Sequence, residues 1–255
     1  MKPSRVLSKL RRNEVVSMAT LWAVPHWKIV EMMGLTGFDC LWLEYEHSSF
    51  SREQMSQMIL AARATDLDVM VRVPRGPYNE VIKPLEAGAT GLLWPHCTGA
   101  ADAHEFVRMA RFAPLGWRGM GGSVDNRYGS VPLADYVAHA NTEIFLAVMI
   151  ERKEAVEEAD AIAAIDGLDI LYIGPSDLSQ SYGVLGQTDH PLIVAAAERV
   201  ASACGKHGKH WGISSRPHAR WHALGSRLFV VGDEMNTLMH GFRRMLEEFE
   251  AEVGP

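Results

Sequence analysis

Eight times along the chain, a short run dense in apolar and β-branched residues is followed by a longer amphipathic stretch. The runs fall at 15–22, 38–46, 68–74, 90–96, 144–151, 168–174, 210–215 and 227–232. Between them lie segments such as SREQMSQMILAARAT, NEVIKPLEAGA, AADAHEFVRMARF and HPLIVAAAERVASACGKHG, whose apolar residues recur at helical spacing. A strand that is apolar on both faces belongs in a parallel sheet covered on both sides, because a sheet wetted on one face would alternate. Eight strand–helix units in 255 residues predict an α/β fold, the (β/α)8 TIM barrel. An open doubly wound sheet is the competing arrangement, but no GxGxxG opens a helix after the first strand. No linker or low-complexity tract divides the chain. Residues 1–255 are therefore expected to form one domain, with a basic leading segment at about 1–13 and a C-terminal helix at about 234–255.

Charge and cysteine usage narrow the partners. The formal net charge of -6 offers no electrostatic footprint for nucleic acid or an anionic membrane, so neither is expected. The basic start MKPSRVLSKLRRNE before apolar VVSMATLWAV has a faint look of a secretory leader. Glu14 interrupts the junction, however, and PHWKIVEMM follows where a small-residue cleavage site would stand. No run reaches the ~20 apolar residues of a membrane span. Cys40, Cys97 and Cys204 are odd in number, far apart and form no CxxC, which fits a reduced, cytoplasmic setting.

In a barrel of this kind the chemistry sits at the carboxyl ends of the strands. The second run, LWLEYEHSSF, turns abruptly from core to ionisable residues and supplies Glu44, Glu46 and His47. The third ends in Arg72, the fourth in Trp94-Pro95-His96, the fifth in Glu151, and the sixth runs into Gly174-Pro175-Ser176-Asp177. Each has an ordinary alternative: Asp177 as a helix N-cap, Arg72 as an ion-pair partner of Glu44 or Glu46, His47 as hydrogen-bonded scaffolding. Carboxylates, an Arg and a His at the ends of four different strands are harder to assign to surface chance. The long irregular stretch at about 112–131, with Arg118, Arg127 and neighbouring Arg111, is expected to be a functional loop on that same face.

What is missing also informs. Lys28, Lys83, Lys206 and Lys209 fall in or near helices and Lys153 lies beyond the fifth strand, so no amine is placed for a Schiff base. There is no GxSxG elbow and no P-loop. An oxygen-rich pair remains, Glu151 and Asp177, suited to a hard divalent cation such as Mg²⁺ or Mn²⁺. Two protein ligands leave coordination positions open for a chelating substrate.

The motifs GFDxxxxxxEH (Gly37 to His47), VRVP, LEAGATGLLWP, PLGWRG, MIE and LDILYIGPSDLSQSYG, taken in order, resemble the HpcH/HpaI group of metal-dependent 2-keto acid aldolases. The resemblance implies that Glu151 and Asp177 are ligands of Mg²⁺, Mn²⁺ or Co²⁺ and that His47 is the catalytic base. It implies that Arg72 steadies the carbonyl or enolate oxygen, and that the backbone at Gly174, Pro175 and Ser176 holds the 2-keto acid carboxylate. Glu86 matches an aspartate that supports the basicity of the histidine. Hexamers with exchanged C-terminal helices are implied as well. The chain departs from the pattern at Glu44 and Glu86, each where an aspartate is usual, and at Met149, where some members have a substrate-contacting glutamine. Trp94 and His96 also replace smaller, apolar residues, which bears on the acceptor pocket.

The expected function is a divalent-metal-dependent aldolase, a carbon–carbon lyase that reversibly cleaves a 4-hydroxy-2-keto acid to pyruvate, or a similar 2-keto acid, and an aldehyde. Its partners would be those small molecules and other copies of itself. The alternatives are a related lyase or hydrolase acting on an acyl-CoA thioester or a phosphonopyruvate, and a non-catalytic sugar-acid binding protein.

Overall fold

The computed structural model describes residues 3–121 and 123–254, so Met1, Lys2, Gly122 and Pro255 of the expected segments lie outside the described residues. Eight parallel strands close a barrel in sequential order, β1 pairing with β2 and onward until β8 returns to β1. They are β1 (Val16–Leu21), β2 (Cys40–Glu44), β3 (Asp68–Arg72), β4 (Gly91–Trp94), β5 (Phe145–Ile150), β6 (Ile170–Ile173), β7 (His210–Ile213) and β8 (Leu228–Asp233). Each lies within the run that predicts it, except that β8 extends to Asp233.

The side-chain period of two sorts each strand between two cores. Met18, Cys40, Trp42, Met70, Leu93, Ala147, Met149 and Tyr172 form one buried cluster, the filled interior of the barrel. Their neighbours of opposite parity, such as Leu41, Leu43, Val71, Leu92, Val148 and Leu171, join the larger cluster under the surrounding helices. Trp42 and Tyr172 meet edge to face at 5.2 Å in the interior. The inward parity carries on past the apolar part of three strands: from Trp42 to Glu44, from Met70 to Arg72, and from Met149 to Glu151.

The basic leading segment folds as helix α1 (Arg5–Arg11), capped by the Ser4 hydroxyl. Val6, Leu7 and Leu10 join the interior cluster, so α1 plugs the amino-terminal end of the barrel. Arg5 and Lys9 reach Asp39 at 3.0 and 2.7 Å, and Asp68 accepts from the Ser4 hydroxyl and the Val6 amide at 2.8 and 2.9 Å.

The stretch at 112–131 follows helix α2 (Ala100–Ala110), and none of its described residues lines the cleft at the mouth in the single chain. The Arg111 guanidinium is spent on the carbonyls of Ala140, Asn141, Ile144 and Gly167 and on the Asp169 carboxylate at 2.8 Å, all beside the starts of β5 and β6. Arg118 is buried against Asp125 and Tyr136. These arginines brace the flank of the barrel in a single chain; a guanidinium removed from water needs such acceptors.

Helix α3 (Glu234–Val253) ends the fold. Its Phe242, Met245, Leu246 and Phe249 are exposed in the single chain. Among the described residues no helix is long and apolar enough to cross a membrane.

Candidate active site

A cleft opens at the carboxyl ends of the strands, lined by Trp42, Glu44, His47, Arg72, Met149, the Gly174–Asp177 segment, and residues from β1, β7 and β8. Of the residues expected at the site, His47, Arg72, Glu44, Met149, Gly174, Pro175, Ser176 and Asp177 all border it. Glu151 lies immediately beneath, 1% exposed, with its β-carbon 3.2 Å from where a side chain on Gly174 would begin. Among the described residues no lysine lines the cleft.

Strand β2 supplies a carboxylate that organises its neighbours. Glu44 Oε2 accepts from Arg72 Nε at 2.5 Å and from the Trp42 indole at 3.3 Å. Its Oε1 accepts from the backbone amides of Glu46 and His47 at 2.8 and 2.9 Å, which fixes the turn that leaves the strand. Glu44 thus touches the backbone of His47. Arg72 also lies 3.4 Å from Glu46 Oε2 and 3.5 Å from the Met149 sulfur, with its guanidinium 5.6 Å from the Trp42 ring. The His47 imidazole is 57% exposed and 3.7 Å from Glu46, so it is open to a substrate and rests against a carboxylate.

Glu151 is the most perturbed carboxyl at the mouth. Burial first, then the charges of Asp177 and Glu46, push it up to about 7, against the backbone amide of His96 and the charge of Arg72. Its Oε1 accepts from the His96 amide at 2.5 Å, whereas Oε2 is buried without a hydrogen-bond partner. A β-carbon on Gly174 would lie 2.7 Å from that oxygen and 2.9 Å from the Met149 methyl, so only glycine leaves the space in front of it clear. Asp177 stands half-buried in the first turn of helix α4 (Pro175–Ser181). An orphaned buried carboxylate oxygen, a second carboxylate whose field reaches it and a glycine-cleared space suit a hard divalent cation. Among the described residues no group of three or more His, Cys, Asp and Glu converges on one point.

Glu86 does not join this group. It ends helix α5 (Tyr78–Glu86), at the amino-terminal side of the barrel just before β4, and pairs with Lys83 at 3.1 Å. In the single chain it is paired in this way and is not brought to His47. The reason is topological: a helix entered from the end of β3 has descended the full height of the barrel by its last turn.

The cysteines offer no nucleophile. All three are buried, and burial pushes the Cys97 and Cys204 thiols up to about 12.

Sequence reasoning passed over Asp233, which lies one residue beyond the predicted eighth strand and lines the cleft. It also treated His96 as an acceptor-pocket departure. In the structure His96 turns toward the carboxylates, with Nδ1 3.2 Å from Glu151 and Nε2 3.7 Å from Glu46.

Comparison with known proteins points one way. A family model described as HpcH/HpaI aldolase/citrate lyase matches residues 21–213. The hydroxypyruvate/pyruvate aldolase of Roseobacter denitrificans is 36% identical over 213 residues, covering 82% of this chain and 83% of its own length. The 5-keto-4-deoxy-D-glucarate aldolase of Klebsiella pneumoniae is 31% identical, covering 86% of this chain and 87% of its own. The crystal structure of an HpcH/HpaI aldolase from Desulfitobacterium hafniense matches with a TM-score of 0.89 at 28% identity, over 96% of each chain.

Proposed function

The chain belongs to the HpcH/HpaI aldolase/citrate lyase family, and from that premise we propose how its residues carry out aldol chemistry on a 2-keto acid. The enzyme is a carbon–carbon lyase, a 2-keto acid aldolase of the metal-dependent class. The proposal concerns residue roles, the cation and the substrate.

Glu151 and Asp177 hold a divalent cation, Mg²⁺, Mn²⁺ or Co²⁺, which when bound polarises the keto acid as a Lewis acid. The observation that carries this is the free, buried Oε2 of Glu151 facing the glycine-cleared space beside Asp177. The segment Gly174-Pro175-Ser176 faces the substrate carboxylate across the cleft. In cleavage, His47 takes the proton of the 4-hydroxyl, the bond between carbons 3 and 4 breaks, and the aldehyde departs. The electron pair passes into the keto acid as its enolate, which a returned proton at carbon 3 converts to pyruvate. Negative charge grows on the former keto oxygen, where Arg72, already fixed by Glu44, donates without having to reorganise. Glu44 acts through Arg72 and through the backbone of His47. Met149 lies beside Arg72 and shapes the apolar wall of the cleft.

The exposed apolar face of α3 supports self-association, as an apolar patch of that kind is seldom left wet. We propose a homo-oligomer, which light scattering of the purified protein tests by its mass; a monomer at all concentrations contradicts it.

The test of the function is a panel of 4-hydroxy-2-keto acids read by pyruvate release. Cleavage that chelator abolishes and Mg²⁺, Mn²⁺ or Co²⁺ restores is expected. Full activity in excess chelator contradicts the roles given to Glu151 and Asp177, and no release from any member of the panel contradicts the substrate class.

A further inference from the structure

Taking Glu151 as a cation ligand, we propose that His96 is the positioning residue that fixes which oxygen Glu151 presents, and that the Arg75–Asp102 pair holds His96 in place. Glu151 Oε1 accepts from the His96 backbone amide at 2.5 Å, and the imidazole Nδ1 of the same residue stands 3.2 Å away, within ion-pair reach. Beside an ionised carboxylate, the ring form with its proton on Nδ1 is the favoured one. Oε2, on the other side, is left unpartnered in front of Gly174. One oxygen is tied and the other is offered. The far nitrogen of the ring, Nε2, faces Glu46 Oε1 at 3.7 Å, so the imidazole spans the carboxylates of β5 and β2.

The backbone shows that this placement is imposed. His96 has a φ of 47°, in the left-handed region that residues with a side chain seldom enter. Arg75 imposes it. Its Nη1 donates to the carbonyls of Pro95 and His96 at 3.3 and 3.1 Å, gripping the peptide on each side of the turn. Asp102 holds that guanidinium through two bonds of 2.8 and 3.0 Å, and also accepts from the Thr98 amide and the Trp94 indole. The guanidinium lies 4.9 Å from the Trp94 ring. The assembly runs from an ion pair at the rim, through a strained turn, to the carboxylate that faces the cation.

The probe is Mn²⁺ alone, with its binding read by titration calorimetry and by the electron paramagnetic resonance of the bound ion. His96→Gly keeps the backbone donor and is at ease at this φ, so it removes the imidazole and nothing else. The Kd for Mn²⁺ is expected to weaken by about 10–100-fold, the range found when a residue supporting a ligand is removed. The thermal midpoint of the metal-free protein should move little. His96→Asn, which tolerates a left-handed backbone and restores a donor, should recover much of the loss. Arg75→Ala should weaken Mn²⁺ in the same direction by releasing the turn. Parental affinity and an unchanged resonance spectrum in His96→Gly overturn this inference alone. An Asn variant no better than the Gly variant overturns it too, because the donor would not be what matters. Absence of Mn²⁺ binding in the parent protein instead defeats the reading of Glu151 as a ligand, and this inference with it.

Discussion

Both ends of the barrel bury charge, and they treat it differently. At the amino-terminal end Asp39 sits between Arg5, Lys9 and Ser17, and Arg111 gives its donors to four carbonyls and Asp169. Charge there joins helices to strand starts, and the chain supplies the ion-pair partners of Asp39 and Arg111. Arg118 on the flank, however, keeps one buried nitrogen without a hydrogen bond. At the carboxyl end Glu44, Glu46, Glu151 and Asp177 gather around Arg72. One oxygen each of Glu46 and Glu151 is left without a hydrogen bond, and Glu151 is driven to about 7. The same inward parity along the strands produces both ends. The difference lies in whether the chain completes the electrostatics or leaves them for a ligand to complete, and strongly perturbed carboxyls in a cleft mark the second case.

The largest effect should come from the unfinished end. Asp177→Ala should lower activity by more than the ~10–100-fold that follows loss of a residue merely supporting a ligand. It should weaken Mn²⁺ binding in parallel and leave the unfolding midpoint close to the parent's. Steady-state kinetics, calorimetry and a thermal melt on one preparation check all three, and a large drop in stability with unchanged Mn²⁺ affinity would place Asp177 among the structural charges.

Arg111→Met makes the opposite trade. It strips the partner from half-buried Asp169 and leaves a cluster of carbonyls without their donor. Breaking a fully buried pair costs about 3–5 kcal/mol, and the part-exposed carboxylate places the loss at or below the lower end of that range. Urea unfolding should report that loss, while kcat per folded molecule is retained. A variant of normal stability with impaired turnover would erase the distinction between the two ends.

A smaller effect is set by pH. Burial raises Asp39, but the Lys9 ammonium and the Ser17 amide and hydroxyl outweigh it and hold the carboxyl below its ordinary value. A group depressed in the folded state stabilises above its unfolded value, about pH 4, and that stabilisation is lost as pH falls through the folded one. Asp39→Asn should therefore flatten the acid limb of stability against pH, read by urea midpoints between about pH 3 and pH 6. An acid limb of unchanged steepness would mean that Asp39 is not held below its unfolded value.

Much of this was legible in the sequence, for reasons that particular residues make plain. Runs apolar on both faces can only be barrel or parallel-sheet strands, so the eight strands emerge where composition places them. Glu44, Arg72 and Glu151 continue the inward parity of buried neighbours, so their convergence follows once closure is assumed. The 112–131 stretch and Glu86 are harder to place from sequence, because the neighbours that meet them are set by contacts between distant segments, such as Trp117 against Tyr78. His96 was obscured by a different cause. Its role depends on a left-handed backbone held by Arg75, twenty-one positions upstream, and no local pattern announces such a contact. The leading segment reads as basic and featureless until Asp39, Asp68 and Glu143 are seen waiting for its side chains and amides.

The central claim is that cation binding and proton transfer at the mouth are separate tasks of separate strands. Exchange of pyruvate methyl protons with deuterated water, followed by proton magnetic resonance, tests it without any aldehyde. His47→Ala should bind Mn²⁺ and pyruvate as the parent does, since Glu151 and Asp177 are untouched. Its exchange rate should fall by ~10²–10⁴-fold, the usual worth of a general base. If His47→Ala exchanges as fast as the parent, the imidazole is scaffolding, and the base must be sought elsewhere among the carboxylates of the mouth.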